Sequence, residues 1–266
     1  MRLHPSAAAA GFGLLAFETL PSTNAHALIL ARGGERGPLW ITAAQQTAGR
    51  GRRGNEWISP PGNLYATLLL TDPAPAESAP QCSFVAALAL HDAIISCAPG
   101  LCNALALKWP NDVLCSGCKL AGILIEGEQV LHGLAIAIGI GVNLRHHPQG
   151  TSYPATDLAA AGVDVSAESL FAALSAAMPE RLGQWRRGAA FGAVRADWLE
   201  RAALMSGEMK VRLPGSELFG RCEGLDDRGR LLLRLGDGAL QAIAAGEVFP
   251  VAGAVSERVS PTARID

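Results

Sequence analysis

The chain has 266 residues, 49% hydrophobic and 17% charged, enough for one large domain with a buried core or a large domain plus a small one. A formal net charge of −2 argues against nucleic acid as the main partner, because neutralising a phosphate backbone takes a broad basic surface. No apolar run approaches the roughly 20 residues of a membrane span, and the N-terminus lacks the charged start and apolar stretch of a signal peptide.

Taken in chain order, residues 14–20 read as a strand, followed by Pro21-Ser22-Thr23-Asn24 and a helix over 25–32, for which Ser22 or Thr23 is a good N-cap. Residues 39–44 are a strand leading into an Arg/Gly loop, 63–71 another strand, and 73–80 a Pro/Ala loop. A long helix is expected over 81–98, then a strand over 104–109 that continues through Val113-Leu114 after Pro110. Residues 119–126 and 131–140 form an apolar hairpin, and 166–187 and 189–204 are helices, with Pro179 breaking or kinking the first. Beyond Ser206-Gly207 come short strands at 209–213, 218–225, 231–235 and 240–244, separated by Asp/Gly turns. Their spacing suggests a small all-β barrel of about 50 residues. The chain therefore divides into 1–205, 206–255 and a polar, frayed tail at 256–266.

Six cysteines are scattered along the chain and read as reduced thiols of a cytoplasmic protein. Cys115-Ser116-Gly117-Cys118 lacks the second pair that a zinc site needs and the helix that a redox pair needs. Ser116-Gly117 is read as the tip of a hairpin.

Four segments concentrate recognition chemistry. Ser22, Thr23 and Asn24 can donate and accept to a neutral polar ring, or simply cap a helix. Residues 49–54 hold three glycines and three arginines, with Gln46 just before them. Glycine admits φ > 0 and close approach, and guanidinium forks suit carboxylates and phosphates; the same run also reads as a solvated face or nucleic-acid patch. In Lys108-Trp109-Pro110-Asn111-Asp112, Pro110 keeps Trp109 out of helix and puts the next side chains on a turn. There Asp112 could bring Mg²⁺ to a nucleotide or close a turn through its own side chain. Lys119 precedes an apolar, glycine-containing strand that draws it inward, where it needs an anion to stay charged.

Together these segments resemble the biotin protein ligase family, the biotin–[acetyl-CoA-carboxylase] ligases. The carrying motifs are STN at 22–24, QTAGRGRRGNEW at 46–57, KWPNDV at 108–113, KLAGILIE at 119–126 and GIGVNL at 139–144, in the family's order and at similar spacing. The segments at 154–158 and 206–251 match more weakly. The resemblance implies an α+β fold: a mixed β-sheet with helices packed on it as a catalytic domain, then a small SH3-like β-barrel. It implies an ATP-dependent, AMP-forming ligase. Biotin carboxylate attacks the α-phosphate of MgATP, giving biotinyl-5′-AMP and pyrophosphate. A lysine amine of a biotin carboxyl carrier domain of a carboxylase then attacks the acyl carbon and releases AMP.

By the family pattern Ser22, Thr23, Asn24 and Gln46 meet the biotin ring, and Gly49, Arg50, Gly51, Arg52 and Lys119 grip its carboxylate and the phosphate. Gly122 and Gly141 permit close backbone approach. Arg52, Arg53, Trp57, Asn111, Asp112 and Asn143 belong to the ATP side, with Trp57 stacking on adenine and Asp112 as the Mg²⁺ ligand. Arg50, Arg52 and Lys119 are the catalytic cations, screening two anions that must meet. Some family members carry an N-terminal helix-turn-helix that binds an operator; too few residues precede Ser22 for one here, so no sequence-specific DNA binding is expected. Asp157 stands where many relatives have a serine. Family members can pair through a sheet edge, which leaves a homodimer open.

Three other readings compete. A lipoate or other acyl-carrier ligase of the related fold would need a long apolar tunnel. A non-catalytic biotin- or nucleotide-binding regulator should lack the lysine or the arginines. A nucleic-acid module would need a second basic cluster.

Overall fold

The computed structural model describes residues 1–205 and 207–251; the polar tail expected at 256–266 lies outside them. Two compact units divide the chain, Met1–Ala203 and a second from Leu204 on.

The first unit runs α1 (Pro5–Ala9), β1 (Gly13–Leu20), α2 (Thr23–Arg32), β2 (Leu39–Gln46), β3 (Leu64–Thr71), α3 (Cys82–Cys97), β4 (Leu105–Lys108), β5 (Asp112–Cys115), β6 (Cys118–Val130), β7 (Gly133–Val142), α4 (Ala167–Trp185) and α5 (Phe191–Glu200). The strands form one seven-stranded sheet in the order β1-β2-β3-β7-β6-β5-β4. Only β1–β2 is parallel, so the sheet is mixed as expected.

Side chains alternate across a strand, and here both faces are used. On one face α2 buries Ala27, Leu28 and Ala31 against Leu39, Ile41 and Ala43 of β2, Leu69 of β3, and Ala135 and Ala137 of β7. On the other face Trp40 of β2 meets Phe171 of α4 edge-on at 5.5 Å. Phe84 of α3 packs edge-on against Phe191 and Trp198 of α5. Burial on both faces explains why β3 reads as an unbroken apolar run with one polar residue, Thr67, in its middle.

Four local expectations change. Val113-Leu114 does not prolong the strand before Pro110; β5 folds back antiparallel on β4, pairing Lys108 with Asp112, because the turn at Pro110 reverses the chain. Pro179 does not break α4, which runs through it to Trp185; the buried Leu170, Phe171, Leu174, Met178 and Trp185 hold the helix despite the missing N–H. Helix α2 starts at Thr23, with Ser22 as its N-cap. The segment 76–97 is helical, and its length and composition would allow a membrane span. Most of it is buried within the fold, where it serves as a core helix.

The second unit is a five-stranded antiparallel sheet of β8 (Gly207–Leu213), β9 (Ser216–Leu225), β10 (Leu231–Leu235), β11 (Leu240–Ile243) and β12 (Glu247–Pro250). Their order is β11-β10-β9-β8-β12. Met209, Val211, Cys222, Leu225, Leu231, Leu233, Ile243 and Val248 supply its core. Gly229 and Gly238 take positive φ, 80° and 87°, in the turns foreseen there. β12 escaped the sequence reading because it is four residues ending in proline, which suits an edge strand.

Candidate functional site

The α2 face of the sheet carries a floor, a patch of bare glycine backbone. Strand register aligns Thr67, Gly139 and Leu124 in one row and Tyr65, Gly141, Gly122 and Asp112 in the next. A Cβ on Gly139 would lie 2.3 Å from Asn24 Oδ1, and one on Gly141 would lie 2.6 Å from Trp57 Nε1. A Cβ on Gly122 would lie 3.0 Å from the Trp57 ring. The glycines are needed for room, so that Asn24 and the Trp57 indole can rest on bare backbone.

A polar cluster sits where α2 starts. Ser22 Oγ accepts from Ala25 N–H at 3.4 Å as the N-cap. Thr23 donates through its N–H (2.8 Å) and hydroxyl (3.1 Å) to Gln46 Oε1, and Gln46 Nε2 donates to Ser59 Oγ at 3.0 Å. Asn24 Nδ2 donates to Leu124 O (3.2 Å) and Glu126 Oε2 (2.9 Å), while Thr67 Oγ1 lies 2.7 Å from its Oδ1. Sequence reasoning missed Thr67, Ser59 and Glu126 as members. The available signal was a lone polar residue within or ending an apolar strand, Thr67 in β3 and Glu126 closing the KLAGILIE run.

The Arg/Gly loop is a small hairpin. Gly51 N–H donates to Asn55 O at 2.7 Å and Trp57 N–H to Gly49 O at 3.0 Å, with Arg50 bridged to Glu56. Of its glycines only Gly54 has positive φ, 77°, beside Arg53 at 57°. Gly49 is required by space, since a Cβ there would stand 2.3 Å from Trp57 O. The two inner arginines diverge. Arg50 Nη2 reaches Glu126 Oε2 at 2.9 Å, and Arg52 Nη1 donates to Asn111 Oδ1 at 3.0 Å.

Lys119 lies near the start of β6, well before Glu126. Simple alternation would point it away from Gly122 and Glu126. The register of β5 with β6 jumps between Val113 and Leu114, leaving Leu120 as an extra residue. That bulge turns Lys119 onto the floor, so that its Cε lies 3.4 Å from a Gly122 Cβ and its Nζ 2.7 Å from Asp112 Oδ1. The Trp57 ring centre is 5.6 Å from the same ammonium. Asp112 is also 3.7 Å from Lys108 Nζ, which lies 3.8 Å above the Tyr153 ring. Burial, with the charge of Asp112 beside it, pushes the Tyr153 hydroxyl above its ordinary pKa. A cation, a carboxylate and an indole thus meet over bare backbone, a setting for holding an anion.

The chain matches the biotin/lipoate A/B protein ligase family over residues 17–143 and the biotin protein ligase C-terminal domain over residues 208–249. It is 43% identical over 236 residues to a biotin–[acetyl-CoA-carboxylase] ligase of Paracoccus denitrificans, covering 86% of this chain and 96% of that one. The chain belongs to the biotin protein ligase family. A ligase of the same name from Mycobacterium tuberculosis is 33% identical over 85% of each chain. A biotin protein ligase from Aquifex aeolicus, solved in complex with biotin and ATP, is similar in fold at a TM-score of 0.74 and 25% identity, covering 89% of this chain and 97% of that one.

Against the positions expected of a biotin protein ligase, most residues converge and several differ in what they touch. Ser22, Thr23, Asn24, Gln46, Gly49, Gly122 and Gly141 line one continuous surface with Trp57 and Lys119. Asn24 has both amide hydrogens engaged by the protein, so it braces the cluster. Arg50 reaches away from Lys119, to Glu126. Asn143, expected on the ATP side, is 3% exposed and donates from Nδ2 to Thr156 O at 3.0 Å. Asn111 donates from Nδ2 to Ile123 O at 2.7 Å. Arg53 is exposed at the loop tip.

Asp112 was the magnesium ligand expected from sequence. Its carboxylate is instead flanked by two lysine ammoniums, and no group of three or more His, Cys, Asp or Glu side chains suited to a metal occurs among the described residues. Among the described residues Asp112 therefore stands as the partner of two lysines and not within a cluster of metal ligands.

Proposed function

We propose that this chain is a biotin–protein ligase acting in two steps. Biotin carboxylate oxygen attacks the α-phosphorus of MgATP; the P–O bond to pyrophosphate breaks and biotinyl-5′-AMP forms. The amine of a carrier lysine then attacks the acyl carbon, forming an amide, and AMP leaves with the bond electrons. Lys119 is assigned to the point where the two anions meet, where a preorganised cation lowers the barrier most. Arg52 flanks it from the loop, and the Trp57 indole covers the floor and excludes water from the mixed anhydride. The polar cluster from Ser22 to Gln46 takes the ring end of biotin. Arg50 is assigned to docking the loop on Glu126.

The single observation that supports this most is the Lys119–Asp112–Trp57 arrangement over Gly122 and Gly141. The similar ligases named for biotin favour it over the lipoate reading. The carrier is taken to be the biotin carboxyl carrier domain of a carboxylase. Strand β1 ends the sheet order and offers the edge through which a homodimer would form. A cytoplasmic setting, where ATP is supplied, suits the six free cysteines.

Mass spectrometry after mixing the protein with biotin and MgATP tests the first step, and the mass gain of an added carrier domain tests the second. Biotinyl-5′-AMP followed by carrier labelling is the expected result. Adenylate from lipoate and none from biotin would overturn the reading in favour of the acyl-carrier alternative.

A further inference from the structure

Where β7 ends at Val142, a strap at residues 154–156 takes over as the neighbour of β6. Lys119 N–H donates to Pro154 O at 2.7 Å, and Thr156 N–H donates to Lys119 O at 2.9 Å. Lys119 pairs with Ala155 in a parallel bridge. The strap therefore holds the backbone of the residue that the bulge at Leu120 re-aims. Two devices hold the strap in turn. One is Asn143, which donates from Nδ2 to Thr156 O and accepts from Leu158 N–H at 3.2 Å.

The other is a side-chain pair, buried Asp157 with half-buried His147. Asp157 is 4% exposed. Its Oδ1 accepts from Ala160 N–H at 2.7 Å and its Oδ2 lies 2.6 Å from His147 Nδ1. Gln149 Nε2 lies 2.8 Å from His147 Nε2. One tautomer satisfies all three groups: His147 donates from Nδ1 to Asp157 and accepts at Nε2 from Gln149. A serine at 157 could cap Ala160 but would be too short to reach the imidazole.

We propose that His147 and Asp157 are a positioning pair for the ligase reaction, acting through the 154–156 strap to keep Lys119 aimed at the reacting anions. The inference rests on the ligase reading and adds two residues that touch neither substrate. Without the pair the strap loses one of its two anchors, its hold on the backbone of Lys119 loosens, and the lysine loses its aim.

The test is a double-mutant cycle on single-turnover, biotin-dependent pyrophosphate release. His147→Ala should slow this step about tenfold in the parent background and less than about twofold in Lys119→Ala, since the pair acts through that lysine. His147→Asn, whose amide stands near the Nδ1 position, should retain more than about half the parent rate by keeping a donor for Asp157. Hydrogen exchange of a peptide spanning Lys119 should quicken in His147→Ala while a β3 peptide stays unchanged. An equal loss in both backgrounds, or unchanged exchange at Lys119, would overturn the proposal. A parent protein that makes no biotinyl-5′-AMP would instead remove the ligase reading, so the two failures are distinguishable.

Discussion

The ammonium of Lys119 lies 2.7 Å from Oδ1 of Asp112 on the neighbouring strand. The two belong to motifs that the sequence keeps apart, and only the bulge at Leu120 brings them to one face. Asp112 stands among two lysines and the Tyr153 ring, a carboxylate that orients cations for other anions. Lys119→Ala should lower the rate of adenylate formation by about 2–4 kcal/mol in the transition state, the usual cost of one preorganised charge-assisted contact. Near-parent pyrophosphate release would remove Lys119 from the reaction.

The glycine floor makes a graded prediction. Gly141→Ala puts a Cβ 2.6 Å from Trp57 Nε1 and Gly122→Ala puts one 3.0 Å from the ring. The indole must move in both and further in the first, against overpacking costs of about 1–3 kcal/mol. The other four tryptophans are at most 1% exposed, so acrylamide quenching reports chiefly on Trp57. Quenching and loss of adenylate formation should rank Gly141→Ala above Gly122→Ala above parent. Equal quenching in all three would show that Trp57 does not lie on the floor in solution.

Arg52 bridges the loop to Asn111 at 3.0 Å, so its loss unpins the loop from the turn that follows β4. Arg52→Gly should retain the finished adenylate less well. With biotin, MgATP and a bystander protein lacking a carrier domain, it should label the bystander more, per adenylate formed, than the parent does. Equal or lower labelling, with adenylate synthesis confirmed, would leave Arg52 as a binding residue without a gating part.

Far from the site, Arg181 of α4 binds Asp92 of α3 at 2.7 Å and Asp197 of α5 at 2.6 Å. Burial alone would raise the Asp92 carboxyl, but the neighbouring His91 imidazole, the hydrogen bond from Arg181 and the guanidinium charge outweigh it and hold the group below its usual range. Asp197 is held low by its hydrogen bond from Gln184, then by Arg181. A carboxylate whose folded pKa is depressed contributes stability above its unfolded value, and that stability is lost as pH falls through the folded value. The window lies below about pH 4. Urea midpoints of the parent should fall steeply there, and those of Arg181→Gln less steeply. Parallel pH slopes for the two proteins would refute the assignment.

Much of this was legible in the sequence because local physics dominates where it holds. Ser22 ahead of an apolar-periodic run is an N-cap in any context, and the Ser116-Gly117 tip, with φ of 49° and 79°, is the hairpin turn those residue types favour. The apolar strands β3 and β7 were found because burial on both faces demands continuous hydrophobicity, and β6 from the apolar run of its first half. The reversal at Pro110 was missed because a turn residue does not announce whether the chain goes on or comes back. The membership of Thr67 and Glu126 was missed because nothing local separates a site residue in a strand from a tolerated polar one.

Sequence alone determined which chemistry is present: the cations, the amides, the glycines and their order along the chain. These depend on residue type and near-neighbour spacing, which a linear reading contains. Tertiary structure decided how they are allotted. Arg50 goes to Glu126 and Arg52 to Asn111, although only Gly51 separates them in one loop. Asn143 goes to the strap, and Asp112 to two lysines. The reason is that side-chain direction on a strand has a period of two. A single extra residue in the register reverses it, and whether that residue exists depends on partners that lie elsewhere in the chain.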